Sequence, residues 1–277
     1  MQDRLGELRN ALSYIEDHLL EELEIREIAA QAYLSPFHFQ RVFKAFCGMG
    51  VGEYIRGRRL TLAAQDIACT EEKVIDIGAK YGYDSPDGFN RAFQRFHGIS
   101  PSQARKSGVD LWALAPLEMK DKLEGGSMLE YRIVKKPQFT VVGVCRRFNN
   151  ESADSEIPKF WDETLIGSVG GRYGICAKLE ENDREFEYWI ADDYIPWKDV
   201  PAELSVKVIP GGTWVVFPFQ GPLPESLQNV NDKVWTEWLP GCTSYRLAGE
   251  YDVEFYAPQG ERQENRYSEI WLPVEQV

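Results

Sequence analysis

The chain reads IREIAAQAYLSPFHFQRVFKAFCG from Ile25 to Gly48 and IDIGAKYGYDSPDGFNRAFQRFHG from Ile75 to Gly98, one pattern repeated at an offset of 50 residues. The windows agree at Ile25/Ile75, Ala29/Ala79, Tyr33/Tyr83, Ser35/Ser85, Pro36/Pro86, Phe39/Phe89, Arg41/Arg91, Phe43/Phe93, Phe46/Phe96 and Gly48/Gly98, ten of 24 columns and far above chance. Each copy opens with a short helix, Arg26 to Ala32 or Val74 to Tyr81, whose alanines allow close contact. A turn then ends in Ser-Pro. The serine can cap a second helix by accepting from a free backbone N–H, and proline suits the first helical position. That helix therefore starts at Pro36 or Pro86. Its phenylalanines, Phe39, Phe43 and Phe46 or Phe89, Phe93 and Phe96, recur at i, i+4 and i+7 as one buried stripe. Gly48 or Gly98 ends it. Each copy is a helix-turn-helix.

Opposite the stripe the first unit presents Phe37, His38, Gln40, Arg41 and Lys44, and the second Asp87, Asn90, Arg91, Gln94 and Arg95. Arginine bonds guanine bidentately, glutamine and asparagine bond adenine, and an apolar ring meets the thymine methyl, all in a major groove wide enough for a helix. Ordinary solvated helix faces are equally polar. The turn, cap and arginine recurring together favour DNA reading.

The stretch DIGAKYGYDSPDGFNRAFQRFHGISPSQAR (Asp76 to Arg105) resembles the signature of the AraC/XylS transcription regulators, and LEIREIAAQAYLSPFHFQRVFKAFCG (Leu23 to Gly48) resembles their first motif. The resemblance covers about residues 5 to 107. It implies two recognition helices joined by a linker helix, here Val51 to Cys69, and set in successive major grooves ~34 Å apart. It also implies base contacts by Phe37, Gln40 and Arg41 in the first groove and by Asn90 and Arg91 in the second. Asp87 departs from the neutral amide often found at its position. A carboxylate near phosphates is repelled unless it accepts from a cytosine amino group, so the second helix is expected to read a different sequence or mainly to position the protein. Lys44, Arg56, Arg58, Arg59, Arg95 and Arg105 are candidates for phosphate contacts, which set register without specifying bases. Taken singly, each is equally consistent with a solvated surface.

Charge gives no help to a nucleic-acid reading: residues 1–110 hold 14 Lys/Arg against 16 Asp/Glu, and the whole chain carries −13. The acids, however, gather in the first helix and its exit (Glu16, Asp17, Glu21, Glu22, Glu24, Glu27), while the basic residues sit on the recognition and linker helices. One face can therefore be positive, with strongly salt-sensitive binding. With 277 residues, 43% hydrophobic and 27% charged, the chain can build two cores. The opening MQDRLGELRN lacks a charged-then-apolar export pattern, and no apolar run approaches membrane length. Cys47, Cys69, Cys145, Cys176 and Cys242 form no CxxC and sit among apolar neighbours, the pattern of reduced core thiols. His18, His38 and His97 are scattered, so no metal site and no cofactor is expected. These features fit a cytoplasmic, nucleoid-associated bacterial protein with no membrane partner.

After Arg105 the stretch SGVDLWALAPLEMKDKLEGGSM is broken by Pro116, Gly125 and Gly126. The expected division is an all-α tandem helix-turn-helix domain over 1–110, a linker over 111–127 and a second domain over 128–277. From Met128 the texture is alternating and β-branched: Leu129 to Val134, Thr140 to Arg146, Phe186 to Ala191, Ser205 to Ile209, Thr213 to Phe219, Asp252 to Tyr256 and Ser268 to Leu272. Helical stretches interrupt it at Pro158 to Leu165 and Leu223 to Leu239. Strand, helix and strands, then the same again, predict an α+β domain of two related halves with a mainly antiparallel sheet.

Residues 128–277 carry 15 Lys/Arg against 25 Asp/Glu and seven of the eight tryptophans. Ring faces attract positive charge and a carboxylate neutralises it, so this composition suits a pocket for an apolar cation. Trp161, Trp235 and Trp238, spaced on helices, read as ordinary core. In Asp252-Val-Glu-Phe-Tyr256, Val253 and Phe255 share one strand face and Glu254 and Tyr256 the other. If Val253 and Phe255 pack under the helices, Glu254 and Tyr256 look into the opposite, concave side. WLPGCTSYRLAGEYDVEFY, the closing SEIWLPV and the IPKFWDE helix resemble the gyrase-inhibitor-like effector-binding domain of multidrug-type regulators. That resemblance implies a counter-charge at Glu254 and walls at Tyr256 and Trp271; Tyr188, Trp189 and Trp214 are further candidates for ligand contact, with the face of their strands that lines the pocket left open by the sequence. Three functions stay open. The first is a transcription regulator of double-stranded DNA whose second domain senses a small lipophilic molecule, an aromatic cation being one candidate. The second is a regulator whose second domain binds a protein such as RNA polymerase or gyrase. The third is a small-molecule hydrolase, against which stand the lack of any Ser-His-Asp or metal motif and the scarcity of histidine.

Overall fold

The computed structural model describes residues 4–106, 111–117, 129–165, 169–196, 198–242, 244–258 and 266–277. The chain begins with α1 (Arg4–Asp17), α2 (Ile25–Gln31), α3 (Pro36–Cys47), α4 (Val51–Cys69), α5 (Val74–Lys80), α6 (Pro86–His97) and α7 (Pro101–Ala104). Both second helices of the repeat start at their prolines. Ser85 Oγ accepts from the Gly88 N–H at 3.1 Å and Ser35 Oγ from the His38 N–H at 3.3 Å. Gly48 (φ 70) and Gly98 (φ 78) take the left-handed conformation that stops each helix.

Two compact units divide the chain: residues 4–34 with 47–120, and residues 35–46 with 121–277. In the first, α4 is the spine. Its Leu60, Ala63, Ala64 and Ile67 meet Ile77, Tyr81, Phe89, Phe93 and Ala104 in one core. Arg58 donates to both Glu16 oxygens, from Nε at 2.9 Å and Nη2 at 2.8 Å, and to the Leu114 carbonyl at 2.6 Å. The Thr61 hydroxyl accepts from the Leu114 N–H at 2.9 Å, and the Tyr54 hydroxyl accepts from the Leu117 N–H at 3.1 Å. Residues 111–117, expected as linker, are thus strapped along α4, and Gly57 leaves the space that Leu114 fills. The remainder of that linker and the expected domain start at Met128 lie outside the described residues. Three candidate phosphate binders are tied to the protein itself, one to a carboxylate and two to loop carbonyls. Arg58 holds Glu16, Arg59 donates to the Leu19 carbonyl at 2.7 Å, and Arg105 donates to the Glu72 carbonyl at 2.5 Å.

The second unit holds β1 (Arg132–Lys136), β2 (Phe139–Asn149), α8 (Ala153–Leu165), β3 (Tyr173–Lys178), β4 (Glu185–Asp193), β5 (Ser205–Ile209), β6 (Gly212–Gln220), α9 (Glu225–Lys233), β7 (Tyr245–Leu247), β8 (Tyr251–Tyr256) and β9 (Tyr267–Gln276). A π-helical turn (Val234–Trp238) and a final turn (Leu239–Gly241) extend α9. The strands form one antiparallel sheet in the order β1-β6-β9-β8-β3-β4-β2-β5, with β7 on β9. Its halves, β2-α8-β3-β4 and β6-α9-β8-β9, have the same connectivity and meet where β3 pairs β8. The predicted pair of related halves is therefore present.

Cross-strand partners share a face of the sheet, and the register sorts the aromatic residues. Val253 pairs Trp271 and Ile175, and these join Trp189, Trp214, Tyr173 and Val141 in a core drawn from strands alone. Glu254 pairs Gly174 and Ile270 on the other face, and Cys176 pairs Tyr188 there. On that side α8 supplies Ala153, Ile157, Phe160 and Trp161 to a second core, and Trp238 packs on Phe217. The helices thus cover the Glu254 face. This reverses the expectation that Val253 and Phe255 pack under them, because the strand-only face buries its rings against one another and needs no helix.

Candidate functional site

The site lies at the seam between the halves of the sheet, on β3 and β8. Glu254 Oε2 accepts from the Tyr188 hydroxyl at 2.6 Å and from the Tyr256 hydroxyl at 2.8 Å, and the Tyr188 oxygen accepts from Trp161 Nε1 at 2.9 Å. Gly174, directly opposite Glu254, makes room for this arrangement, since a Cβ there would overlap both Glu254 Oε2 and the Tyr188 oxygen. Asp252 lies two residues away on the same face, only 4% exposed, opposite Cys176. Burial pushes both carboxyls above the usual carboxylate range. The two tyrosine hydroxyls oppose the shift at Glu254, and Arg41 opposes it at Asp252. Burial also holds the Cys176 thiol and both tyrosines protonated. Donor atoms of Cys176, Asp252 and Glu254 lie within 4.8 Å of one another, a spacing that could hold a metal ion. The charge that meets them in this structure is a guanidinium.

That guanidinium belongs to α3. Arg41 Nη2 lies 2.9 Å from Asp252 Oδ2, with the Cys176 thiol as a further hydrogen-bond partner. It stacks 4.9 Å from the centre of its own Phe37 ring and 5.8 Å from that of Trp235. The rest of the helix is fastened as well. Phe37 is buried among Phe148, Phe160, Phe186 and Tyr188. Gln40 Nε2 donates to the Asp183 carbonyl at 2.5 Å, and Gln40 Oε1 accepts from Asn150 at 3.1 Å. Lys44 pairs Asp154 at 2.6 Å. His38 is buried 6.1 Å from Trp235. Burial, reinforced by Arg41, lowers its pKa to about 4, so it is neutral.

Two families share this chain. Integron-associated effector binding proteins match residues 132–274 and the helix-turn-helix domain matches residues 28–107. The right origin-binding protein of Escherichia coli strain K12 is 27% identical over 298 residues, spanning 98% of this chain and 99% of that protein. The HTH-type transcriptional activator AarP of Providencia stuartii is 41% identical over 109 residues, covering 39% of this chain and 81% of that one. The chain is an AraC-type transcription regulator with an integron-type effector-binding domain. Among solved structures, SAV2435 bound to tetraphenylphosphonium is 23% identical and covers 53% of the regulator and 94% of its own chain, with a TM-score of 0.44.

Within the regulator the residues expected at the two sites fall into four groups. Asp87, Asn90, Arg91 and Arg95 on α6 are exposed, as a DNA-reading face requires, and so is Gln94. Phe37, His38 and Gln40 are buried and Arg41 and Lys44 are engaged, so the first unit does not present the outward face expected of it. The reason is legible in hindsight: Phe37 and Val42 flank the Phe39/Phe43 stripe, leaving α3 apolar on two sides, and such a helix buries both. Glu254, Tyr256 and Tyr188 converge on one site. Trp271, Trp189 and Trp214 do not, because each lies in the strand-only core behind it.

Sequence reasoning missed Asp252, Cys176, Gly174 and Trp161. The first has the same strand parity as Glu254 and could have been found from it. Cys176 and Gly174 sit on β3, whose run YGICAK is buried throughout its first five residues and shows no alternation. Trp161 packs against the α8 core, as its helical spacing predicts, and its N–H also serves the Tyr188 oxygen, a role the spacing does not reveal. Of the cysteines expected in cores, Cys176 is buried, Cys47 and Cys242 are half-buried, and Cys69 and Cys145 are exposed. No helix among the described residues is long and apolar enough to cross a membrane.

Proposed function

We propose that the regulator reads DNA through α3 and α6 and senses a small aromatic or cationic molecule at Glu254. On α3 the reading residues are Phe37, His38, Gln40, Arg41 and Lys44; on α6 they are Asp87, Asn90, Arg91 and Arg95. The observation that carries the sensing role is the environment of Glu254. A half-buried carboxylate beside buried Asp252, held by two tyrosine hydroxyls beneath Trp161, is costly without a positive partner. It gains most from a delocalised cation that can also meet ring faces. The names of the relatives, an origin-binding protein and a transcriptional activator, support a binding role over a hydrolytic one.

The test is Glu254→Gln in the full chain, titrated with tetraphenylphosphonium and followed by tryptophan fluorescence. The variant should keep its fold by circular dichroism and lose at least about tenfold in affinity, about 1.4 kcal/mol. Unchanged affinity would remove Glu254 from the sensing role.

A further inference from the structure

The effector site already has an occupant, and that occupant is a DNA-reading helix. We infer that the site is built for a planar guanidinium- or amidinium-type cation bearing an aryl group, and that such an effector binds by displacing Arg41, which frees α3 for DNA. This rests on the sensing role of Glu254 proposed above and adds the ligand class and the mode of control.

Three observations support it. First, the contacts are made by the DNA-reading residues themselves: Arg41 with Asp252, Gln40 with Asp183 and Asn150, Lys44 with Asp154, and Phe37 inside the α8 core. One guanidinium cannot pair with Asp252 and clasp a guanine edge at the same time, so the two states exclude each other. Second, Asp252 and Glu254 make it costly to leave the site empty of charge. Asp252 is buried and Glu254 half-buried, and their carboxylate oxygens lie within 4.8 Å of one another and repel, so α3 leaves readily only when another cation takes its place. Third, the site's chemistry fits the ligand class. Asp252 and Cys176 take the N–H side of the guanidinium, and Trp235 lies 5.8 Å from it. When Phe37 departs with α3, the aryl group of the effector fills the space beside Phe148, Phe160 and Tyr188. Effector and DNA then bind to the same released state, and each raises the affinity of the other.

The experiment measures phenylguanidinium binding to the full chain by calorimetry in wild type, Arg41→Ala and Glu254→Gln. With its internal competitor removed, Arg41→Ala should bind at least about tenfold more tightly than wild type, and Glu254→Gln more weakly. Hydrogen exchange of the unaltered protein supplies a readout that needs no variant: saturating phenylguanidinium should speed exchange across residues 36–46 and slow it in β8. If Arg41→Ala binds no more tightly and α3 exchange is unmoved, while Glu254→Gln still weakens binding, the displacement mechanism is overturned and the sensing role stands. If tetraphenylphosphonium binds through Glu254 and phenylguanidinium does not bind, the ligand class is overturned. If neither cation depends on Glu254, the sensing role falls, and the displacement mechanism with it.

Discussion

α3 and α6 are two copies of one helix with opposite fates. Both start at Ser-Pro, both are capped by that serine, both bury a phenylalanine pair (Phe39/Phe43 and Phe89/Phe93), and both end at a left-handed glycine. Between those shared positions they diverge: α3 reads Phe37, His38, Gln40 and Val42 where α6 reads Asp87, Gly88, Asn90 and Ala92. The shared residues make the helix. The others decide what its second face meets. On α6 that face is solvated, whereas on α3 it is apolar enough to join the core of the effector domain and places Arg41 against Asp252. Repetition in a sequence therefore predicts common structure more safely than common exposure.

The largest expected effect that could break this comparison is on stability. Arg41→Ala leaves Asp252 buried without its cation and should cost about 3 kcal/mol, whereas Arg91→Ala at the matching exposed position should change stability by no more than about 0.5 kcal/mol. Urea unfolding followed by tryptophan fluorescence measures both, and equal effects would mean that the Arg41–Asp252 pair contributes nothing. Next in size is Gly174→Ala. Its Cβ collides with Glu254 and Tyr188, so overpacking should cost about 1–3 kcal/mol and weaken cation binding together. Gly98→Ala meets no neighbour and is opposed only by its positive φ, at about 1 kcal/mol. The smallest effect sharpens the contrast between the caps. Ser85→Ala should cost about 1 kcal/mol. Ser35→Ala should cost more, because Ser35 Oγ also lies 3.0 Å from His38 Nδ1 and bonds toward Glu250.

How much of this was legible in the sequence follows the same physics. α3 and α6 were readable because serine, proline, phenylalanine and glycine act locally: their spacing determines where those helices start, what they bury and where they end. α4 carries no such signal, and its place came from the resemblance to the AraC/XylS regulators. β5, at Ser205–Ile209, and the two-half plan of the second domain were readable for a related reason, since turn residues punctuate the strands. β3 was not, because a strand buried on both faces carries no alternation. Strand parity put Glu254 and Tyr256 on one face, and the resemblance to the gyrase-inhibitor-like domain singled out Glu254; which face the helices cover was not legible. Trp271 was placed beside Glu254 wrongly, because face assignment between strands depends on register, a long-range property that no single segment reveals. The burial of Arg41 was likewise beyond local reading: its partner, Asp252, lies 211 residues further along the chain.

α3 is held against Asp252 while the matching face of α6 stays open, and on this contrast the proposed mechanism rests. Phenylglyoxal modification of the full chain without effector, read at each arginine by mass spectrometry, tests it most directly. Arg41, with its side chain 18% exposed and paired to Asp252, should react at least about tenfold more slowly than exposed Arg91, because it must first open locally. Equal rates at the two arginines would show α3 to be as free as α6, and the account would fail.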